Sequence, residues 1–267
     1  MKTNEPTLPL RVGDDENDIF DRARRIQWLD LETVGKANIL VVGAGATGNE
    51  TAKNLILSGF RNLTLIDMDR VEKSNLNRCL FFNERDAAAK RFKAEVIAER
   101  MRQLSRDARI EHHIAKIQEM PEGFIGGFDA VLGCTDNVEA RIHINAGAYA
   151  AGVPYIDCGT LGTSGKVQVV IPRETPCIEC AMNSTHMKVL NLRYSCTGKD
   201  VTFFQPKLGA EITTTSVVSA YQVRELLKII SGKSDRTIKH VFYYDALSNI
   251  SDVLNIEKNE GCSVCGH

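Results

Sequence analysis

The amino-acid sequence predicts an α/β fold with a doubly wound, mainly parallel sheet that continues into antiparallel strands. Two patterns support this prediction. Through the first 160 residues, short apolar runs alternate with helical patterns, which is typical of buried parallel strands joined by right-handed crossover helices. Farther on, the apolar runs at 166–171 and 240–244 are not joined by short crossover helices, and such strands usually pair in antiparallel fashion.

The other elements follow in chain order. Residues 1–18 are polar, with two prolines and an acidic run, so we expect a flexible N-terminal tail. Residues 19–31 mix apolar side chains with arginines and predict an amphipathic helix. Further strands are predicted at 38–42, 63–66, 110–114, 130–132 and 155–156, and further helices at 49–58, 87–104, 138–151 and 211–230.

Residues 19–267 are predicted to form a single domain. Its first half, at about 36–160, contains the predicted parallel strands, and its second half spans about 161–267. Within the second half, residues 181–208 show no clear period, which predicts a long functional loop.

The composition excludes several classes of function. The 33 basic and 34 acidic residues leave a formal net charge of -1, so we expect no binding to nucleic acid or to an anionic membrane surface. There is no apolar run long enough to span a bilayer, and the N-terminus lacks the apolar core of a signal peptide. We therefore expect a cytoplasmic protein, whose eight cysteines are metal ligands, nucleophiles or buried residues rather than a disulfide framework.

A glycine-rich turn follows the first strand. Gly43, Gly45 and Gly48 form a GxGxxG pattern between that strand and a helix, where glycines permit a tight turn and close approach of a phosphate to the backbone. Asp67 lies 24 residues after Gly43, at the end of the second strand, where a carboxylate can bind ribose hydroxyls. The pattern predicts a Rossmann-like nucleotide site, but dehydrogenases share it and the nucleotide stays open.

Polar residues cluster at the predicted carboxyl edge of the sheet. Asp69, Asn75 and Arg78 follow the second strand, Lys93 opens a later helix, and Asp136 follows the fourth strand. A triphosphate needs cations to neutralise phosphate, amides to orient oxygens and a carboxylate for Mg²⁺. Their joint placement favours a triphosphate site over a set of unrelated solvated charges.

Four motifs in this order, GxGxxG, DxDxVxxSNLNR, KAEV and CTDNxxxR, resemble the ubiquitin-activating enzyme superfamily, which includes the bacterial adenylyltransferases for the sulfur carriers of molybdopterin and thiamine synthesis. The resemblance runs from about Arg22 to the C-terminus. It implies one adenylation domain that uses ATP and Mg²⁺ to adenylate the C-terminal glycine of a small β-grasp protein, with the carrier bound by the second half and residues 181–208 as a crossover loop.

The resemblance also implies roles for single residues. Asp67 corresponds to the ribose ligand, Asn75, Arg78 and Lys93 to phosphate contacts, and Asp136 to the Mg²⁺ carboxylate. In the family, the arginine that corresponds to Arg25 reaches the ATP of the partner protomer, so the resemblance implies a homodimer.

The chain departs from the family pattern at two points. Cys79 stands where the family usually has glutamine, and Lys93 follows Arg78 at a slightly larger distance than in the bacterial enzymes. Lys90 is therefore a competing candidate for the phosphate lysine.

Two CxxC pairs predict a structural zinc site. Cys177 and Cys180 form the first pair, and Cys262 and Cys265 form the second, with Cys262 lying 82 positions after Cys180. Four thiolates can close a tetrahedral Zn²⁺ site and fasten the C-terminal end to the domain. Many members of the superfamily carry these pairs. A thioredoxin-like redox role is less favoured, because neither pair lies at the first turn of the βαβ unit.

Cys196 lies in the loop without periodicity, between Arg193 and Lys199. These cations favour a thiolate that could attack an acyl-adenylate, and the superfamily's thioester cysteine occupies a similar place 16 residues after the first zinc pair. An ordinary loop thiol is the alternative. The remaining cysteines are expected in the core: Cys79, Cys134 and Cys158.

The sequence thus predicts an activating enzyme that adenylates a ubiquitin-like protein with a C-terminal Gly-Gly and transfers it to Cys196 as a thioester. One alternative is a sulfur-carrier adenylyltransferase without an obligatory thioester, which would hand the adenylate to a separate sulfur donor. If the carrier is transferred to Cys196 as a thioester, a conjugating enzyme is a further expected partner. A non-catalytic Rossmann scaffold subunit is the alternative from a different class.

Overall fold

A computed structural model describes residues 18–182 and 209–266. The strands are β1 Asn38–Val42, β2 Asn62–Ile66, β3 Arg109–His113, β4 Ala130–Gly133, β5 Tyr155–Leu161, β6 Ser164–Val170, β7 Val241–Asp245 and β8 Ile250–Leu254. The α-helices in these ranges are α1 Asp21–Arg24, α2 Leu31–Lys36, α3 Ala46–Leu57, α4 Glu84–Ala88, α5 Lys93–Leu104, α6 Val138–Ala151 and α7 Ile212–Ile230.

The strands form one eight-stranded sheet in the order β3-β2-β1-β4-β5-β6-β7-β8. Neighbours from β3 to β5 pair in parallel, and neighbours from β5 to β8 pair in antiparallel fashion. The predicted mixed sheet is confirmed. Because the parallel strands share one direction, their carboxyl ends meet at one edge, where ligands bind in open α/β sheets.

Two apolar cores cover the two faces of the sheet. Helices α3, α5 and α7 pack on one face, and α6 packs on the other face together with the paired cysteines. Continuous apolar runs such as Asn38–Val42, where the last four residues are buried, are what a parallel strand covered on both faces requires.

The predicted helix at 87–104 is wrong as a single element. It divides into α4 and α5, and Lys90 between them has a left-handed backbone with a φ of 50°. Asp86, which is buried, accepts from Arg91 at 3.5 Å and also binds Arg100. The apolar periodicity continues across the break, so it carried no sign of the turn that these contacts stabilise.

The predicted helix at 19–31 is also wrong in extent. In that range only α1 and the first residue of α2 are helical. Helix α2 starts at Leu31 because the Asp30 carboxylate accepts the N–H groups of Glu32 and Thr33, at 3.1 Å each. Strand β8 is missing from the sequence predictions. All five of its residues are exposed, so no buried face gives it a recognisable pattern.

The predicted tail, except for Asp18, and nearly all of the predicted crossover loop lie outside the described residues. In the part of the chain that is described, no helix has the length and apolar character needed to cross a bilayer.

Candidate active site and metal centre

The glycine-rich turn lies between β1 and α3, at the carboxyl edge of the sheet. Gly43 has a φ of 102°, and a Cβ atom there would lie 2.5 Å from the carbonyl oxygen of Cys134. A Cβ atom at Gly48 would lie 2.1 Å from the carbonyl oxygen of Gly43. These two glycines are therefore required by the fold itself, because side chains would collide with backbone.

Gly45 differs from its two neighbours. Its φ of -74° suits any residue, and a Cβ atom there would meet no atom of the described chain within 4 Å. The space faces the start of α3, whose first N–H groups have no partner within the helix. Such a helix N-terminus favours a phosphate, and no described atom blocks the approach to Gly45.

Asp67 is fixed beside this turn. Its carboxylate accepts the N–H of Ala44 at 2.6 Å and the N–H of Asp69 at 2.7 Å. Burial raises the pKa of Asp67 above its usual value, although the positive charge of Lys93 and the two N–H groups oppose this effect. The site therefore contains a carboxylate that is held in position and poorly hydrated.

Lys93 lies against the same carboxylates. Its Nζ atom is 2.8 Å from Asp69 Oδ2, and 12% of its side chain is exposed. Burial lowers the pKa of Lys93, but the charges of Asp67 and Asp69 outweigh burial and raise it. Lys90 is exposed, and its carbonyl accepts from Arg70 at 2.7 Å. The geometry brings Lys93 to the predicted site.

Arg78 approaches the same region. Its Nη1 atom donates to the carbonyl of Ser74 and, at 3.0 Å, to Asn77 Oδ1. Asn75 ends a short 3₁₀ helix and accepts the N–H of Glu72 at 2.9 Å. Asn75 is thus a fixed amide in the segment that precedes Arg78.

Cys79 lies near both Arg78 and Lys93. Burial raises the pKa of its thiol to about 11, while the charges of Arg78 and Lys93 both act to lower it. Both cations therefore lie near the same buried sulfur. The expected core position of Cys79 is confirmed, as it is for Cys134 and Cys158.

The turn that carries Asp136 packs against the glycine-rich turn. Thr47 Oγ1, in the first turn of α3, donates to the carbonyl of Cys134 at 3.1 Å. Asp136 itself is exposed, and the next residue, Asn137, caps α6 by accepting the N–H of Glu139 at 2.9 Å. An exposed carboxylate at this edge suits a Mg²⁺ ligand.

Arg141, in the first turn of α6, stabilises the turn that carries Asp136. Its Nε and Nη2 atoms both donate to the carbonyl of Thr135, at 2.9 and 2.8 Å. Its Nη1 atom pairs with the fully buried Asp157 at 2.8 Å. Arg141 is the last residue of the CTDNxxxR motif, which assigns it no role. Its position four residues after Asn137, on the next turn of a helix, is the signal that could have identified it.

Gln222 of α7 is another contact absent from the sequence predictions. Its Nε2 atom donates to the carbonyl of Gly133 at 3.0 Å and to that of Ile156 at 2.8 Å. It therefore ties the carboxyl end of β4 to β5. No local sequence pattern indicates this contact, because α7 lies far along the chain.

Arg25 is not brought to the site of its own chain. It pairs with Asp21 at 2.7 Å, just after α1. Phe20, which directly precedes α1, contacts Arg61 and would lie 3.4 Å from a Cβ atom on Gly59. Gly59 and Arg61 both lie just before β2 begins. Arg25 therefore lies near the amino ends of the strands, away from the glycine-rich turn.

The four paired cysteines converge on one point, and all their sulfur atoms lie within 4.8 Å of one another. Cys177 Sγ is 3.9 Å from Cys180 Sγ and 3.5 Å from Cys262 Sγ. Cys180 Sγ is 3.2 Å from Cys265 Sγ. Zn–S bonds of about 2.3 Å in a tetrahedron place sulfurs about 3.8 Å apart, so the donor set fits Zn²⁺.

Cys196, the predicted nucleophile, lies outside the described residues. The structure thus brings Asp67, Asp69, Arg78 and Lys93 to one edge beside the glycine-rich turn and assembles the four paired cysteines elsewhere.

Comparison with known proteins agrees with this architecture. The chain is 28% identical over 302 residues to the NEDD8-activating enzyme E1 catalytic subunit of Arabidopsis thaliana, a match that covers 85% of the chain and 65% of that protein. It is 38% identical over 160 residues to SUMO-activating enzyme subunit 2 of Dictyostelium discoideum, with 58% of the chain and 24% of that protein covered. The chain spans less than two thirds of the length of either relative.

A similar fold occurs in the crystal structure of Escherichia coli MccB with ATP, with a TM-score of 0.75 at 21% identity over 94% of this chain and 75% of that chain. The model of the ThiF family matches residues 21–264. That match includes the glycine-rich turn, the polar edge and three of the four paired cysteines, and it ends one residue before Cys265. The chain belongs to the ThiF family.

Proposed function

We propose that this chain is an ATP-dependent adenylyltransferase that activates the C-terminal glycine of a ubiquitin-like β-grasp protein. The observation that carries the proposal is the position of Lys93, which lies largely buried against Asp69 and close to Asp67, the carboxylate that is fixed to the glycine-rich turn. A largely buried cation suits a nucleoside triphosphate when it lies near a helix N-terminus and a carboxylate that can bind ribose.

ATP would lie along this edge. Asp67 would bind the ribose hydroxyls, the start of α3 at Gly45 would face phosphate, and Asn75, Arg78 and Lys93 would contact phosphate oxygens. Asp136 would hold Mg²⁺, which when bound supplies charge neutralisation to the phosphates.

The reaction needs no general base. A carboxylate oxygen of the carrier's terminal glycine attacks the α-phosphorus of ATP, the bond to the β-phosphate breaks, and pyrophosphate leaves. The product is an acyl-adenylate, a mixed anhydride. Arg78 and Lys93 stabilise the negative charge that develops on the phosphate, which is the main way in which fixed cations accelerate such a step.

The proposed substrate class follows from the relatives, which are named as NEDD8- and SUMO-activating enzyme subunits. We place carrier binding in the second half of the chain, about 161–267. A sulfur carrier with the same β-grasp fold and Gly-Gly end is the other member of this class, and a conjugating enzyme or a sulfur donor would then act on the activated carrier.

A second step would use Cys196. Its thiolate would attack the carbonyl carbon of the acyl-adenylate, a thioester would form, and AMP would leave. The support is the sequence setting of Cys196 between Arg193 and Lys199, since nearby cations favour the thiolate.

The cysteine centre and the position of Arg25 support two further assignments. We assign one structural Zn²⁺ to Cys177, Cys180, Cys262 and Cys265. We also propose a homodimer in which Arg25 serves the partner's ATP, because Arg25 lies away from the site of its own chain.

The test is exchange of labelled pyrophosphate into ATP, with candidate β-grasp proteins and with the same proteins shortened by their Gly-Gly end. Exchange that requires the intact end supports adenylation. Absence of exchange with every intact candidate contradicts it, and absence of ATP binding as well would favour the scaffold subunit. Non-reducing gels then test the thioester, whose adduct must disappear with thiol and in Cys196→Ala.

A further inference from the structure

Helix α6 connects the cysteine centre with the turn of Asp136. Asn145 lies one helical turn after Arg141 and is fully buried. Its Oδ1 atom accepts the N–H of Ile178 at 3.0 Å, inside the first CxxC pair. Helix α6 thus begins at the turn of Asp136 and contacts the first CxxC pair farther along.

The other end of the Asn145 amide is unusual. Its Nδ2 atom is buried and has no hydrogen-bond partner in the described part of the chain, and the side chain lies beside the Cys177 thiol. A buried donor without an acceptor is unfavourable, and native proteins rarely leave one. A neutral thiol is only a weak acceptor, so the metal-free centre leaves this donor unsatisfied.

The backbone of the first pair is held by other contacts. Gln168 Nε2 donates to the carbonyl of Cys177 at 3.1 Å and to that of Pro176 at 3.3 Å. The backbone N–H of Asn259 donates to Cys180 Sγ at 3.4 Å. The centre therefore already contains an N–H···S contact of the kind that the Asn145 donor could make.

We propose that Asn145 is an outer-sphere hydrogen-bond donor to a zinc-bound Cys177 thiolate, and that it fastens the metal centre to α6. Loss of the thiol proton on metal binding converts a weak acceptor into a charged one, which strengthens the N–H···S bond. Partners of this kind orient metal ligands and tune their affinity. The inference rests on the zinc assignment made above and is independent of ATP use.

The test compares purified zinc-loaded wild-type protein with Asn145→Asp. Aspartate keeps an acceptor for the Ile178 N–H but lacks the amide donor. Competition with a chromogenic chelator is expected to show about 10-fold weaker zinc binding in the variant. In cobalt-substituted protein, the sulfur-to-cobalt charge-transfer band is expected to shift to lower energy, because a thiolate that has lost a hydrogen bond gives up electrons more readily.

Asn54→Asp is the matched control. Asn54 Nδ2 is also buried without a partner among the described residues, but it lies on α3 and not at the cysteines. Equal zinc affinity and an unshifted cobalt band in Asn145→Asp would overturn the proposal. If that variant does not fold, NMR of cadmium-loaded wild-type protein replaces the comparison. Coupling between the metal and a side-chain Nδ2 proton of Asn145 supports the hydrogen bond, and absence of that coupling overturns the proposal.

Metal analysis of the wild-type protein separates the two levels of failure. If the purified chain contains no zinc, both the zinc assignment and the proposed role of Asn145 are wrong. Zinc present, with Asn145→Asp behaving like wild type, would remove this inference alone.

Discussion

The ammonium group of Lys93 lies 2.8 Å from the carboxylate of Asp69, with 12% of the lysine side chain exposed. The backbone N–H of Lys93 also donates to the carbonyl of Asp69, at 2.9 Å. The start of α5 is thereby fastened to the segment after β2. Under the proposed function, a triphosphate would compete with Asp69 for this ammonium group.

Replacement of Lys93 tests its role in phosphate binding. We expect Lys93→Ala to lower the rate of pyrophosphate exchange about 100-fold, in the range seen when one fixed donor to a transition state is lost. Lys90→Ala is the control, because Lys90 is exposed and lies only three residues away. Equal losses in both variants, or a larger loss in Lys90→Ala, would contradict the assignment.

Two glycines of the turn separate nucleotide binding from stability. Gly45→Ala is expected to change the free energy of unfolding by less than about 1 kcal/mol, because its Cβ atom meets nothing within 4 Å, yet to weaken ATP binding by occupying the phosphate space. Gly48→Ala is expected to destabilise the fold by about 1–3 kcal/mol, because its Cβ atom would lie 2.1 Å from a carbonyl oxygen.

Denaturant unfolding and calorimetric titration with ATP check this pair. If Gly45→Ala bound ATP as wild type does, the open space beside Gly45 would not be the phosphate site.

Glu211 predicts a pH-dependent contribution to stability. It caps α7, and hydrogen bonds from the N–H groups of Thr214 and Thr213 lower the pKa of its carboxyl from 4.5 to about 2. Because the folded-state pKa lies below the unfolded value, the ionised carboxylate stabilises the fold above pH 4.5. That contribution is lost as the pH falls from 4.5 toward 2.

Glu211→Gln should therefore be less stable than wild type at pH 6, by about 1 kcal/mol for a lost cap, and equal to it near pH 2. Urea unfolding across this range measures the difference, and a constant gap at every pH would show that the charge of Glu211 does not contribute.

The position of Arg25 predicts complementation between two inactive variants. Arg25→Ala and Lys93→Ala should each lose exchange activity alone. Mixed after unfolding and refolding together, they should regain part of it, because one site of a mixed dimer has both an intact Lys93 and an intact Arg25 from the partner. Sedimentation analysis confirms the dimer, and a lack of recovery in verified mixed dimers would contradict this arrangement.

The cysteine centre predicts one zinc ion per chain. Cys180→Ala should lose the metal and unfold at lower temperature, because the C-terminal pair is no longer fastened to the domain. Cys79→Ala is the control, since Cys79 is buried away from the centre and should retain zinc. Metal analysis and thermal unfolding of both variants provide the measurement.

Much of the parallel sheet, and the position of several candidate site residues at one edge of it, were predictable because their signals are local. The run at 38–42, the glycine pattern after it and the acidic residues after β2 each lie within a few residues of the structure that they form. The parallel pairing of β1 and β2 then brings Asp67 beside the glycine-rich turn. The two CxxC pairs converge as predicted, and the spacing within each pair is the local signal.

What escaped prediction depends on pairings between charged side chains. The break before Lys93 is stabilised by ion pairs of the buried Asp86 with the partly exposed Arg91 and Arg100. The support of the Asp136 turn comes from Arg141 paired with Asp157, which lies in the next strand. Such pairings leave no periodicity in the sequence.

The most direct test of the central claim follows an oxygen atom. A carrier whose C-terminal carboxylate contains heavy oxygen is incubated with the enzyme, ATP, Mg²⁺ and an acceptor thiol, and the AMP is analysed by mass spectrometry. Attack of the carboxylate on the α-phosphorus predicts that AMP acquires one heavy oxygen atom when the acyl-adenylate is consumed. AMP formed without the label would show that water, and not the carrier, attacks ATP, and would contradict adenylation.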